Sequence, residues 1–170
     1  MPERLPELHI RPAQASDDDF FAALYRSTRA DLLALLADKR YIDGLVATQR
    51  QAQLAGYRER YPDALYQVLE LDGTPAGRLV TACVDEALRV VDLAVMPWAR
   101  RRGVATETLL RLQRQGQQEG QALTLAVRRD NADARRLYAA LGFVAEGEEG
   151  AVLQLRWRAA GNAAAIAASR

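Results

Sequence analysis

The sequence predicts an α/β protein built on a mixed α+β sheet. Between residues 65 and 95 three strand-like runs follow one another across short turns, which suits antiparallel neighbours. From 87 to 127 the order becomes strand, loop, helix, strand, and a connection of that length makes the two strands parallel through a right-handed crossover. Helical periodicity on both sides supplies two helices before the strands and one after. At 170 residues, 49% apolar and formally +1, the chain suits one ordinary globular domain with a sizeable core.

The elements follow in order. "LHIRPA" (8–13) is a short strand stopped by Pro12. "ASDDDFFAALYRSTRADLLALL" is helical, with Ser16 at the N-cap and the aspartates after it at the positive end of the dipole. Phe20, Leu24 and Thr28 share a face, and Leu32, Leu35 and Leu36 continue the apolar pattern; a bend near Arg29 would divide it in two. A glutamine-rich helix covers about 43–61, marked by Leu45, Ala52 and Tyr57 and ended by Pro62. Strands at 65–71, 76–84 and 87–95 come next, with "DGTP" between the first two and Pro97 closing the third. Ala105, Leu109 and Leu112 mark a helix running from Gly103 to a C-cap at Gly120. "ALTLAV" (122–127) is a buried-type strand, and "NADARRLYAAL" is a helix capped by Asn131 and ended by Gly142. "FVAEGEEGAVLQLRW" is a closing hairpin turning at "EGEEG". One domain is therefore expected over 1–158, with the alanine-rich 159–170 as a disordered tail.

Composition excludes several function classes. Charge balanced to within one unit argues against a general nucleic-acid binder and a cationic membrane-surface protein. No apolar run approaches the ~20 residues of a membrane span, and "MPERLPELHI" lacks a signal-peptide core. His9 and Cys83 are the only residues of their kinds, so zinc sites and Ser-His-Asp catalysis have little to draw on. Both are expected to be structural, Cys83 in the core. A chain without a disulfide framework fits a reducing cytoplasm.

The stretch "VMPWARRRGVAT" (95–106) places three arginines before a helix start, where aligned amides already carry about half a positive charge. Each misplaced cation there costs about 0.3–1 kcal/mol. A bound anion offsets that cost, because the helix-start amides and the arginines then face one negative charge. Gly103 lets the backbone approach closely and Ala105 adds little bulk. The loop follows the carboxyl end of a strand, where open α/β sheets place their ligands. No G-x-x-x-x-G-K-S/T or G-x-G-x-x-G run is present, which removes the common nucleotide loops. The competing reading is a solvated basic turn.

"RRRGVA" matches the pattern Q/R-x-x-G-x-G/A, preceded by a "LAV-x-P" strand end, and "NADARRLYAALGF" matches N-x-x-A-x-x-L-Y-x-x-x-G-F. Two motifs in this order, one helix and one strand apart, resemble the GNAT superfamily of N-acetyltransferases. The resemblance is clear over 76–144; between 13 and 62 it extends only to the presence of two helices. It implies a GNAT-like fold: N-terminal strand and two helices, antiparallel β2–β4, a central βαβ unit with parallel β4 and β5, a helix and a C-terminal hairpin. It also implies acetyl-coenzyme A as donor substrate and no metal. Leu93, Ala94 and Val95 would pair with the pantetheine arm as an added strand does. Amides from Arg101, Arg102, Gly103, Val104, Ala105 and Thr106 would hold the pyrophosphate, with side-chain charge from Arg100 and Arg102. Asn131 would touch the cofactor arm and Arg135 or Arg136 its phosphates; N-capping and a solvated face are the plainer roles of these residues.

Tyr138 takes the general-acid role in that resemblance, with the Val95 amide stabilising the oxyanion during direct attack by an amine. Asp92 is a candidate base; Asp85 and Glu86 lie at a turn, and a water chain would serve as well. On the acceptor side the N-terminal helices offer Tyr25, Arg29 and Tyr57, along with Tyr41, Gln49, Gln53 and Arg60. Their polar and aromatic mixture suggests a small polar amine or a peptide terminus. Neither nucleic acid nor membrane is expected as a partner, and a homodimer stays open. The alternative function is a non-catalytic acyl-coenzyme A sensor.

Overall fold

The computed structural model describes residues 6–161; the part of the expected tail beyond Gly161 lies outside the described residues. Among them, seven strands join one sheet in the order β1-β2-β3-β4-β5-β7-β6. These are β1 (Leu8–Pro12), β2 (Leu65–Leu71), β3 (Thr74–Val84), β4 (Ala87–Val95), β5 (Leu123–Arg128), β6 (Val144–Glu149) and β7 (Val152–Trp157). The helices are α1 (Asp18–Ser27), α2 (Ala30–Leu33), α3 (Lys39–Arg60), α4 (Val104–Glu119) and α5 (Ala132–Ala140). No described helix is long and apolar enough to cross a membrane. The chain forms two compact units: one takes in the chain up to Val80 with Asp92–Val104, the other Thr81–Val91 with the chain from Ala105.

In the first unit β1 lies antiparallel to β2, Leu8 opposite Leu71 and Pro12 opposite Gln67. Ser16 is not the cap expected of it. It sits inside a 3-10 turn (Ala15–Asp17), and Asp17 organises the entry to α1 instead. The Asp17 carboxylate accepts from the Gln14 amide at 2.7 Å and takes both Arg11 Nη groups at 2.8 Å. The Arg11 guanidinium, then the Gln14 amide, hold that carboxyl down to about 2.

The long N-terminal helix divides, as a bend near Arg29 would have it. Ser27 and Thr28 hydroxyls donate to the Leu24 and Tyr25 carbonyls at 2.6 and 2.7 Å, local bonds that compete with helix continuation. Because α2 stops at Leu33, Leu35 and Leu36 do not continue an apolar face; they are 45% and 106% exposed. α3 starts at Lys39, earlier than expected, because Asp38 accepts from the Arg40 amide at 2.8 Å. Its buried stripe is Ile42, Val46 and Arg50, spaced i, i+4, i+8, whereas Ala52 is exposed. Tyr25 and Leu32 complete the cluster with Ile42 and Val46. The β2–β3 turn uses two residues, Asp72 and Gly73 (φ 51° and 77°), so β3 begins at Thr74.

In the second unit β4 and β5 run parallel, Leu88 opposite Leu123 and Val90 opposite Leu125, as expected of the strand–helix–strand order. β7 then pairs antiparallel with β5 and with β6. α4 buries Leu109 and Leu112 and comes so close to β5 that a Cβ at Gly116 would sit 2.8 Å from Leu123 Cδ1. Cys83 is exposed rather than in the core, because strand alternation at the end of β3 turns Ala82 inward and Cys83 out. The hairpin turns at Gly150 (φ 59°), past the middle of "EGEEG", and β6 runs on through Glu149 with a register irregularity between Ala145 and Gly147. Ala159 is buried, and Ala160 exchanges two hydrogen bonds with the Gln117 amide.

Candidate active site

β4 ends at Val95, and Pro97, Trp98 and Ala99 form one 3-10 turn begun by proline, whose φ suits a first helical position. Ala99 is fully buried, while Arg100, Arg101, Arg102 and Gly103 are exposed. Gly103 has φ 80° in open space, with nothing within 4 Å of where a Cβ would lie. The backbone dihedral, not crowding, is what asks for glycine there. Arg101 has φ 62°, an uncommon conformation for a long side chain and one that clusters at ligand sites. Arg100 Nε donates to the Val95 carbonyl at 3.1 Å, and the Arg102 guanidinium lies 5.8 Å over the Trp98 ring. Among the described residues no carboxylate pairs with any of the three arginines. Val104, buried, starts α4, with Ala105 and Thr106 half-buried after it.

Leu93, Ala94 and Val95 follow the 88–90 stretch of β4 that is in register with β5. Their other side is closely matched to β3: the Met96 amide donates to the Ala76 carbonyl at 2.7 Å, and a Cβ at Gly77 would lie 2.5 Å from the Ala94 oxygen. Turn and helix start together offer amide donors and unneutralised cations to an anion.

In the same unit, Arg78 of β3 is 4% exposed. Its Nε and Nη2 reach Asp92 Oδ2 at 2.9 and 2.8 Å, and Nη2 also donates to Gln53 Oε1 at 3.1 Å. The guanidinium lies 5.7 Å over the Phe21 ring. One cation thus ties α1, α3, β3 and β4 together. Arg78 is not among the expected site residues, although an arginine inside the buried run "AGRLVTACV" signals a partner, since a lone charge there is too costly. Asp92 is that partner.

Tyr57 stands one turn beyond Gln53 on α3. Burial first, then the Asp92 charge, push its phenol above the ordinary value, with Arg78 pulling the other way. It is therefore a neutral hydroxyl. The Tyr66 hydroxyl is buried without a hydrogen-bond partner. Tyr25 is buried, and its hydroxyl accepts from Arg29 Nη1 at 2.9 Å; the same nitrogen donates to Gln49. Asp31 takes the other side of the Arg29 guanidinium at 2.8 and 3.0 Å. Gln49, Gln53 and Tyr57 are i, i+4, i+8 on α3, so one helix stripe serves both arginines. Tyr41 is 63% exposed and Arg60 stacks on Tyr61 at 5.6 Å; neither bonds to these groups.

In the second unit the Asn131 side chain accepts from the Ala134 amide at 3.2 Å, the expected cap of α5. Tyr138 is half-buried, its ring edge-on to Phe143 with centroids 5.9 Å apart. Arg135 Nη1 donates to the Arg129 carbonyl at 3.0 Å, and Arg136 pairs with Asp133. Both border an open cavity of about 470 Å³ with Phe143, Ala145 and Leu155.

Residues 21–143 match the family model described as Acetyltransferase (GNAT) family. No curated protein matches in a sequence search. Among solved structures, the chain is similar to PaiA N-acetyltransferase from Thermoplasma acidophilum in complex with coenzyme A (16% identity, TM-score 0.67, covering 89% of this chain and 99% of that one). It is also similar to the ribosomal-protein-S18-alanine N-acetyltransferase from Escherichia coli (21%, 0.59, 89% and 94%). A third is a spermidine N-acetyltransferase chimera from Vibrio cholerae and hSSAT (19%, 0.61, 89% and 95%). At these identities the likeness is one of fold.

Proposed function

Because the chain belongs to the GNAT acetyltransferase family, we propose that it transfers an acetyl group from acetyl-coenzyme A to an amine of a small polar molecule or a peptide. The observation that carries this reading is the loop before α4, where Arg101 and Gly103 hold positive φ and three exposed arginines pair with no carboxylate among the described residues. Such a turn suits a pyrophosphate. In this reading amides of residues 101–106 bind it, Arg100 and Arg102 add charge, and Leu93, Ala94 and Val95 pair with the pantetheine arm. Asn131 and Arg135 are assigned to the cofactor as well.

The donor supplies a thioester, and this chain's residues handle charge and protons around it. The Val95 amide donates to the carbonyl oxygen as negative charge develops on it. The Tyr138 hydroxyl gives its proton to the departing sulfur. A tyrosine pKa of about 10 against a thiol's of about 8.5 makes full transfer uphill by roughly 2 kcal/mol, so the group assists a leaving group that is already good. Asp92 offers Oδ1, outside its bonds to Arg78, to the amine proton. Tyr25, Arg29 and Tyr57 face the acceptor, which suits a polar ligand because each carries a hydrogen-bonding group.

Structures of like fold bear names with acceptors as different as a ribosomal protein and spermidine, so fold alone does not select one. A cytoplasmic location belongs to the same proposal. A steady-state acetyl-transfer assay against small amines and peptides tests it: turnover on at least one acceptor supports the enzyme. Cofactor binding without turnover across the panel makes the chain a non-catalytic acyl-coenzyme A sensor.

A further inference from the structure

The groove between α1 and α3 holds a second group of cations that acetyl transfer does not use. A cavity of about 270 Å³ is lined there by Ala22, Ala23, Val46 and Ala47 on its apolar side, Ala23 and Ala47 being exposed, and by Arg26, Asp43, Arg50 and Gln51. Arg50 is only 7% exposed. Its Nη2 donates to Asp18 Oδ1, while its Nε–H is buried with no acceptor among the described residues. The side chain of Asp18 is 69% exposed, so solvent screens the carboxylate that pairs with this buried guanidinium. A buried donor left unmade is costly and uncommon, and it calls for a partner. Arg26 pairs with Asp43, which Lys39 also holds at 2.8 Å.

We infer that this groove binds a short-chain monocarboxylate. Its carboxylate lies on Arg50 beside Arg26, and its alkyl part lies on the three alanines and Val46. A guanidinium fork matches a carboxylate's two oxygens. The apolar lining favours an alkyl group over a fully polar ion. Asp43 on the rim repels a second negative charge, which disfavours a phosphate dianion. The Nε–H is covered in this conformation, so binding includes a rotation of the Arg50 side chain, which the exposed Asp18 can follow.

Calorimetric titration of the full chain with butyrate, without acetyl-coenzyme A, tests this apart from the acetyl-transfer reading. Saturable one-site binding is expected. Arg50→Met removes the fork and weakens binding by about 10–100-fold. Ala47→Leu crowds the apolar lining while leaving Arg50 in place, and it weakens binding too. Circular dichroism checks the fold of both, and should Arg50→Met not fold, Ala47→Leu decides alone. Absence of saturable heat at tens of millimolar overturns the inference and leaves a water-filled void. Undiminished binding in the folded variants overturns the location, and displacement of butyrate by inorganic phosphate overturns the ligand class.

Discussion

Arg78 and the arginines at positions 100, 101 and 102 belong to one unit and answer opposite physical problems. Arg78 is buried, and the protein itself supplies its counter-charge, Asp92, its amide partner, Gln53, and an aromatic face, Phe21. The loop arginines are exposed at a helix start where the field already disfavours them, and no described carboxylate answers them. The buried charge of Arg78 is settled within the fold, because a desolvated cation without its partner is costly. An exposed charge can wait for a ligand. The first set ties two helices to two strands; the second is exposed where the proposed pyrophosphate would lie.

The largest expected effect breaks the architectural side. Asp92→Ala strands Arg78 as an uncompensated buried cation, and loss of one partner of such a pair costs about 3–5 kcal/mol. Chemical denaturation should register it as a lower midpoint. Adding Arg78→Met to that variant should recover a large part of the loss, since the stranded charge goes. If the double variant is no more stable than Asp92→Ala, the pair is not what holds these elements.

Tyr138→Phe comes next and sharpens the catalytic reading. The ring contact with Phe143 remains, so cofactor affinity should hold while turnover falls by about 10²-fold, the low end for general acid catalysis. The deficit should shrink with an acetyl donor whose thiol is more acidic. Unchanged turnover, with chemistry shown to limit the rate, returns Tyr138 to a packing role.

Arg102→Ala should weaken acetyl-coenzyme A by about tenfold at low salt, the worth of one charge-assisted contact, and by less as salt rises. An effect independent of salt would place Arg102 away from the phosphates. A further effect concerns Asp17. Its folded pKa is depressed, so it stabilises the fold above the ordinary carboxylate value and loses that contribution as pH falls from about 4 through about 2. Asp17→Asn should flatten stability across that window while lowering it at neutral pH.

The motif half of the molecule was legible in the sequence because its signals are local. "RRRGVA" and "NADARRLYAALGF" each state a turn, a cap and a helix face within a few residues, and the parallel β4–β5 pairing follows from chain order. The N-terminal half was less so. Ser16 looked like a cap by residue type, but the grip of Arg11, at the end of β1, on Asp17 decides where α1 begins, and residue type alone does not announce that pairing. Leu35 and Leu36 kept an apolar period past the point where two hydroxyls end the helix. Arg78 and Asp92 stand fourteen residues apart, and only the pairing of two strands makes them partners.

Acetyl-coenzyme A binding to the wild-type chain, read by calorimetry beside Gly103→Glu, tests the central claim most directly. The wild type should bind one equivalent and melt at a higher temperature with cofactor, because only the folded loop offers the site. Gly103→Glu places a carboxylate and a strained φ where pyrophosphate is proposed to sit, with open space to accept the side chain, so it should stay folded and lose binding. Equal affinity in the two proteins, or no heat and no thermal shift in the wild type at millimolar cofactor, contradicts the account.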